Sequence, residues 1–544
     1  MVAAGRRRIA TAMEVNGVTR WWASGTRARV TMVAVVLVVI VVATVVVRAM
    51  GGGSTGPGTG GLPGVTPTPL ATLPSSTSSA AATASGSIST GPGTVVAYDR
   101  TPGAVDDTAY TLTVNGQKIP VDKFGDAAYA RFAITGSVNA VVGTAEPVGS
   151  FSISPRSYNI NGAASGTTLS FAIGMPRNLI VTVNGLHRLL IMADAPETSA
   201  PGIGGSGVIN LASYITDNTG TTMQTSRIQS AIDTASTRHG VLYVPNGVYL
   251  TGSLQLRSNM TLYLQSGARI QGSSRPSDYT SGSLLRTSGA SNVGIAGHGI
   301  IDTDGTVLRP AGSKTKLLRI EGGQNVTLND VLLRDSASWT VHIQGASHVT
   351  VSNVHVVNNL NLGPGLDGID PDSSSDVTIT NPFVYTFDDC FAVKATSSGA
   401  GPTDRIRVQG AVCWTHKSAL KIGTESTHSI SNVVFANNNV VHADRALAVY
   451  MGDGGNLGSV TYSNDFSETV GGDAKQKLIE IEVTAGQATP ITVSDYTAYS
   501  PSPSDSTVRG VTVIVSNMSI AGTHVSSTGA AHLSTTNATV RFDG

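Results

Sequence analysis

Short stretches in which alternate residues are Val, Ile or Leu recur from about residue 290 onward, most of them closed by a small polar residue. NVGIAG (292–297), NVTLND (325–330), HVTVSN (348–353), DVTITN (376–381), RIRVQG (405–410), NVVFANN (432–438), SVTYSN (459–464) and GVTVIVSN (510–517) follow one another at irregular intervals of a few tens of residues. Alternation with a period of two predicts strands. Self-similarity at such intervals marks a solenoid, whose units bury their apolar faces against their neighbours. A propeller needs about four strands per repeat, more than these intervals hold. The pattern therefore predicts an all-β coil with aliphatic side chains inside and Asn or Asp at its corners.

Upstream the pattern changes. In residues 208–272, Ile228, Ala231, Ile232 and Ala235 stand at helical spacing, which predicts an amphipathic helix over 226–237 covering the open end of the first turn. Residues 98–200 carry five short alternating or β-branched runs, at 110–114, 130–134, 151–154, 169–173 and 179–183, with Asn115-Gly116 and Asn184-Gly185 as hairpin turns. They read as a small antiparallel β-sandwich. Residues 49–97 are mainly Gly, Ser, Thr, Pro and Ala and read as a tether. Residues 30–48 contain an unbroken apolar run, 30–47, long enough to span a hydrocarbon core of about 30 Å. Arg6, Arg7, Arg8, Arg20, Arg27 and Arg29 precede it, so residues 1–29 are expected in the cytoplasm and the rest outside. Val47-Arg48-Ala49 leaves cleavage, and hence secretion, as the alternative.

Charge narrows the partners. Charged residues make up 13% of the 544, Lys+Arg and Asp+Glu balance at 35 each, and there are 62 glycines. No net field points to nucleic acid, and a monomer is expected.

Candidate chemistry lies in GLDGIDPDSSSDVTITNPFVYTFDDCFAVKA (365–395). Asp367 and Asp388 are 388 − 367 = 21 positions apart. If one turn of the coil lies between them, they stack as neighbours one strand spacing, about 4.8 Å, apart. Carboxylates crowded together suit chemistry that needs one protonated and another ionised, although Asp is also common in turns.

DGID (367–370) followed by DDC (388–390) resembles the polygalacturonase family of glycoside hydrolases, in a divergent bacterial branch. The resemblance implies a right-handed parallel β-helix over 207–544 and inverting hydrolysis of a pectic or related polysaccharide, without metal or cofactor. It assigns Asp388 as the acid and Asp367 and Asp389 as the pair that activates water, with Asp370 structural. It also implies a disulfide between Cys390 and Cys413. Two motifs depart from the family. KSALKIG (417–423) puts Ser418 where the family has His, with His416 close by, and Arg445 lacks the Lys that follows it in the family's R-I-K. Lys421, Glu425, Arg445, His416 and Trp414 are then the candidate sugar-binding groups. A dextranase- or isopullulanase-like hydrolase, a calcium-dependent lyase and a non-catalytic glycan-binding coil stay open as alternatives.

Overall fold

The computed structural model describes residues 93–399, 401–471 and 476–543. The apolar run 30–47 lies outside them, and no described helix is long and apolar enough to cross a membrane.

From Val208–Asn210 to Thr539–Phe542 the chain winds through three sheets in turn, with thirteen, twelve and eleven strands among the described residues. Nearly all pairings are parallel, and the residues of each motif stack on the next. Val349, Val377, Ile406, Val433 and Val460 form one continuous register column. Each is at most 1% exposed, and burying such a side chain contributes about 1.5–3 kcal/mol.

The motifs begin and end in the left-handed region. Asn292, Asn325 and Asn432 open strands, and Asn353, Asn381, Asn437 and Asn464 close them, with φ between 50° and 59°. Asn reaches that conformation at low cost because its short amide bonds locally. These amides also bond between turns: Asn325 Nδ2 donates to Asn292 Oδ1 at 3.1 Å.

Helix Thr225–Thr237 forms as its periodicity predicts, burying Ile228, Ala231, Ile232 and Ala235 over the first turn. Residues 94–194 form two sheets of six and five strands around one core that includes Phe132, Leu169, Val181 and Ile191. Asn115-Gly116 makes the expected hairpin between Thr111–Val114 and Gln117–Ile119.

Two features differ from the sequence reading. Thr94–Ala97, assigned to the tether by composition, is a strand pairing with Ala127–Thr135, because three of its four residues are β-branched. Arg188–Asp194 pairs with Ala127–Thr135 in parallel, so the unit is not purely antiparallel. Its outer face packs on the twelve-stranded sheet, with Tyr129, Leu190 and Met192 against Leu332, Phe383 and Tyr385.

Candidate active site

Asp388 and Asp389 lie in the turn between strands Phe383–Tyr385 and Phe391–Ala395, and Asp367 lies just before Ile369–Asp372. The two segments are consecutive turns of the coil. Gly368 N–H donates to Asp389 O at 2.8 Å, and Asp388 N–H donates to Leu366 O at 3.2 Å. Gly368 fits here because a Cβ would stand 2.4 Å from Cys390 O. Cys390 and Cys413, on the next turn, form a disulfide with their Cα atoms 6.3 Å apart.

Each carboxylate meets different partners. Gly365 N–H donates to Asp388 Oδ2, and Asp389 N–H donates to Asp388 Oδ1 at 3.0 Å. Asp389 Oδ1 accepts from Ser418 N–H at 3.0 Å, and its Oδ2 accepts from Lys421 Nζ at 2.6 Å. Asp367 Oδ2 lies 4.0 Å from Lys394 Nζ, which donates to Glu425 at 2.8 Å.

These surroundings push the acids apart. Burial and the neighbouring Asp389 charge raise Asp388 above the usual carboxylate range. Burial, with Asp370 and Asp389, holds Asp367 well above it. Asp389 goes the other way: burial would raise it, but Lys421 and Lys394 outweigh burial and lower it. Lys421 and Lys394 thus supply the positive charge of the cluster, 2.6 Å from Asp389 and 4.0 Å from Asp367 respectively. Among the described residues no three His, Cys, Asp or Glu side chains are grouped to hold a metal.

Asp370 is fully buried, neither of its carboxyl oxygens has a hydrogen-bond partner, and burial pushes it up to about 8. Unfolded, an Asp titrates near about 3.9. The raised folded value means that the stability tied to its neutral form is complete below about pH 3.9 and lost as pH rises toward the folded value. Asp370→Asn is therefore expected to raise Tm by several degrees at pH 8 and to leave it nearly unchanged at pH 4, in thermal melts across that range.

The expected sugar-binding groups divide. Arg445 Nε donates to Ser418 Oγ at 3.3 Å, beside Asp389, but also lies 3.5 Å from Glu480. Lys421, Glu425 and Arg445 thus belong to the acidic cluster or border it. Trp414 does not. It is 3% exposed beneath the N-terminal unit, with the Arg188 guanidinium 3.9 Å over its ring, so no sugar face can reach it. His416 is held among the rings of Phe387, Trp414 and His442, and none of its hydrogen bonds reaches an aspartate. Trp414→Ala should cost about 3–5 kcal/mol of stability and leave KM unchanged, as denaturant melts and steady-state kinetics would show.

Three residues beside the aspartates were missed by sequence reasoning. Lys394 bridges Asp367 and Glu425. Trp339, half-buried, has Lys316 Nζ 4.0 Å and Lys394 Nζ 4.7 Å from its ring centroid. Arg309 donates to Leu362 O and Ala337 O, each at 2.9 Å, and to Pro364 O, so it holds the loop whose next amide, that of Gly365, meets Asp388. Lys394, in DDCFAVK, was within reach of sequence because it lies on the strand leaving Asp389. Trp339 and Arg309 come from earlier turns without a motif.

A coil of three stacked parallel sheets is a parallel β-helix. The chain belongs to glycosyl hydrolases family 28, whose sequence profile matches residues 235–537. It is similar to a probable polygalacturonase of Vitis vinifera, 28% identical over 251 residues, covering 39% of this chain and 51% of that protein. It is also similar to an exo-poly-alpha-D-galacturonosidase of Dickeya chrysanthemi, 26% identical over 385 residues, covering 56% and 62%. The chain thus spans about half to three-fifths of the length of these curated relatives. Dex49A from Penicillium minioluteum shares the fold, with a TM-score of 0.57 over 82% of this chain and 96% of that one, at 13% identity.

Proposed function

We propose that the protein hydrolyses an O-glycosidic bond of a pectic or related polysaccharide with inversion. Asp388 gives its proton to the leaving oxygen, while Asp389 takes a proton from water on the opposite face of the sugar and Asp367, kept neutral by burial and its acidic neighbours, orients that water by a hydrogen bond. The observation that carries this reading is the divergence of two adjacent carboxyls, Asp388 held up by burial and Asp389 held down by Lys421. That is the division of labour between general acid and general base. Arg445 and Trp339 are proposed to line the sugar subsites, with Lys394, buried at 3% exposure, holding Asp367 and Glu425 behind them.

A second reading, a neutral glycan as substrate, is favoured by Glu480. It accepts from Lys477 Nζ at 2.6 Å and lies 3.5 Å from Arg445, spending much of the positive charge that a uronate would need. The proposal also places the N-terminal two-sheet unit as a sandwich module of an exported, membrane-anchored or secreted enzyme acting as a monomer.

The test incubates the protein with homogalacturonan, rhamnogalacturonan, dextran and pullulan, following reducing ends and the anomeric configuration of the first product. Inverted product that disappears in Asp388→Asn is expected. Retained configuration, or turnover undiminished in the variant, removes the reading.

A further inference from the structure

The corner that follows each strand of the thirteen-stranded sheet builds a column of polar residues. Asp330, Asn353, Asn381, Gly410, Asn437 and Asn464 each follow strand ends that are register partners, and all have φ between 50° and 69°. Their side chains bond from turn to turn. Asn353 Nδ2 donates to Asp330 Oδ1 at 3.1 Å, Asn381 Nδ2 to Asn353 Oδ1 at 3.4 Å, and Asn464 Nδ2 to Asn437 Oδ1 at 2.6 Å. The ladder breaks at Gly410, the one position of the six without a side chain.

That gap borders a cleft of about 530 Å³ between the coil and the N-terminal unit, which contributes Tyr158, Arg177 and Asn178. A second cavity of about 410 Å³ shares Ala195, Asp330 and Asn353 with it. Together they make an elongated trough. Arg177 Nε, Asn178 Oδ1 and His355 Nδ1, from residues lining the cleft, have no hydrogen-bond partner among the described residues, and His355 is 1% exposed. Buried polar groups are normally satisfied, so groups left open around a cleft of ligand size are those that a bound molecule would complete.

We propose that this trough is a second carbohydrate-binding site, separate from the aspartate cluster and taking a neutral oligosaccharide chain. Amide and imidazole groups along a trough match the paired donors and acceptors of sugar hydroxyls, and Met175, 50% exposed, offers apolar surface to ring C–H groups. The cleft is lined by two acids, Asp194 and Asp330, and a single arginine, Arg177, so it carries no excess positive charge for an acidic sugar. The continuity of the two cavities suits a chain rather than a single ring. The site occupies the corner between the thirteen- and twelve-stranded sheets, whereas the aspartates occupy the corner between the twelve- and eleven-stranded sheets. The N-terminal unit covers the sheet between them. The choice of a glycan as ligand rests on the hydrolase reading above.

Affinity electrophoresis of the full chain tests the site, with Asp388→Asn as background so that the gel polysaccharide is not consumed. Arabinan, galactan and dextran are the neutral probes and polygalacturonate the acidic one. At least one neutral glycan is expected to retard the chain. Gly410→Asn restores the missing rung in a backbone conformation that Asn accepts, and the contact its Cβ makes is with the mobile end of Asn381. It should weaken retardation about tenfold or more, and Asn178→Ala on the facing wall should do the same. In the chain with Asp388 intact, Gly410→Asn should leave Tm and turnover of a soluble substrate unchanged. Lack of retardation by every neutral glycan, or retardation of both variants equal to that of the background chain, overturns the proposal. Retardation sensitive to Gly410→Asn in a protein that cleaves no glycan would keep this site and discard the hydrolase.

Discussion

Asp388→Asn is expected to lower kcat by about 10²–10⁴-fold, the usual contribution of a positioned general acid, with KM nearly unchanged. The side chain keeps its shape and its one oxygen still accepts from Gly365 N–H, but its amide nitrogen then faces Asp389 N–H without accepting from it, so the turn should hold with Tm slightly lowered. What is lost is a proton held where pH alone would remove it. The pH profile follows from the two directions of shift. In the proposed roles, activity requires Asp388 protonated, so it declines as pH rises through a value above the ordinary 3.9 or so of an aspartate. It requires Asp389 ionised, so it declines as pH falls through a value below that figure. The pair titrates together, and the two limbs belong to the cluster rather than to single residues. A kcat profile from pH 2 to 9 should be bell-shaped in the parent. An Asp388→Asn variant that retained both the rate and the alkaline limb would show that the proton comes from elsewhere.

The fold was legible in the sequence to the extent that local pattern creates it. Alternating Val and Ile with Asn or Asp at the corners dictates both the burial of each strand and the left-handed turns that bend the chain into the next sheet, so the motifs at 325–330, 376–381 and 432–438 locate their strands. The helix was legible for the same reason, since Ile228, Ala231, Ile232 and Ala235 lie on one face whatever they pack against. Contacts between distant segments left no such trace. Trp414 looks like an available ring until the strand ending at Asp194 brings the N-terminal unit, and Arg188 with it, over the twelve-stranded sheet. The parallel pairing of Ala127–Thr135 with Arg188–Asp194 was equally hidden, because both strands are buried on both faces and either direction would bury them. The three aspartates announced themselves by spacing, and Lys421 was singled out only as a sugar-binding group, not as the partner of Asp389. Lys394 and Lys421 reach them only because parallel register places residues of successive turns side by side.

The altered stretch KSALKIG shows how a changed motif can still serve the same carboxylate. Ser418, in the place of the family's His, gives its backbone N–H to Asp389 Oδ1, and Lys421 gives its ammonium to Oδ2. Lys421→Met should therefore do two things at once. It strands a buried charge, since the Asp389 and Lys421 side chains are 5% and 10% exposed, and breaking such a pair costs about 3–5 kcal/mol. It also removes the main counterweight to burial, so Asp389 titrates higher, and the acid limb of the kcat profile should move toward neutral pH as the maximum rate falls. The signs can be checked independently by thermal melts. With Lys421 present, the depressed Asp389 contributes stability that is complete above about pH 3.9 and fades as pH drops through its lower folded value. In Lys421→Met that contribution should be gone, and stability should instead decline as pH rises. Adding Asp389→Asn removes the stranded charge as well, because replacing both members of a buried pair costs far less than removing one. The double variant should regain most of the lost stability while remaining inactive. If it melts no higher than Lys421→Met alone, the ion pair is not what holds Asp389 in place, and the division of roles between the two adjacent acids loses its physical cause.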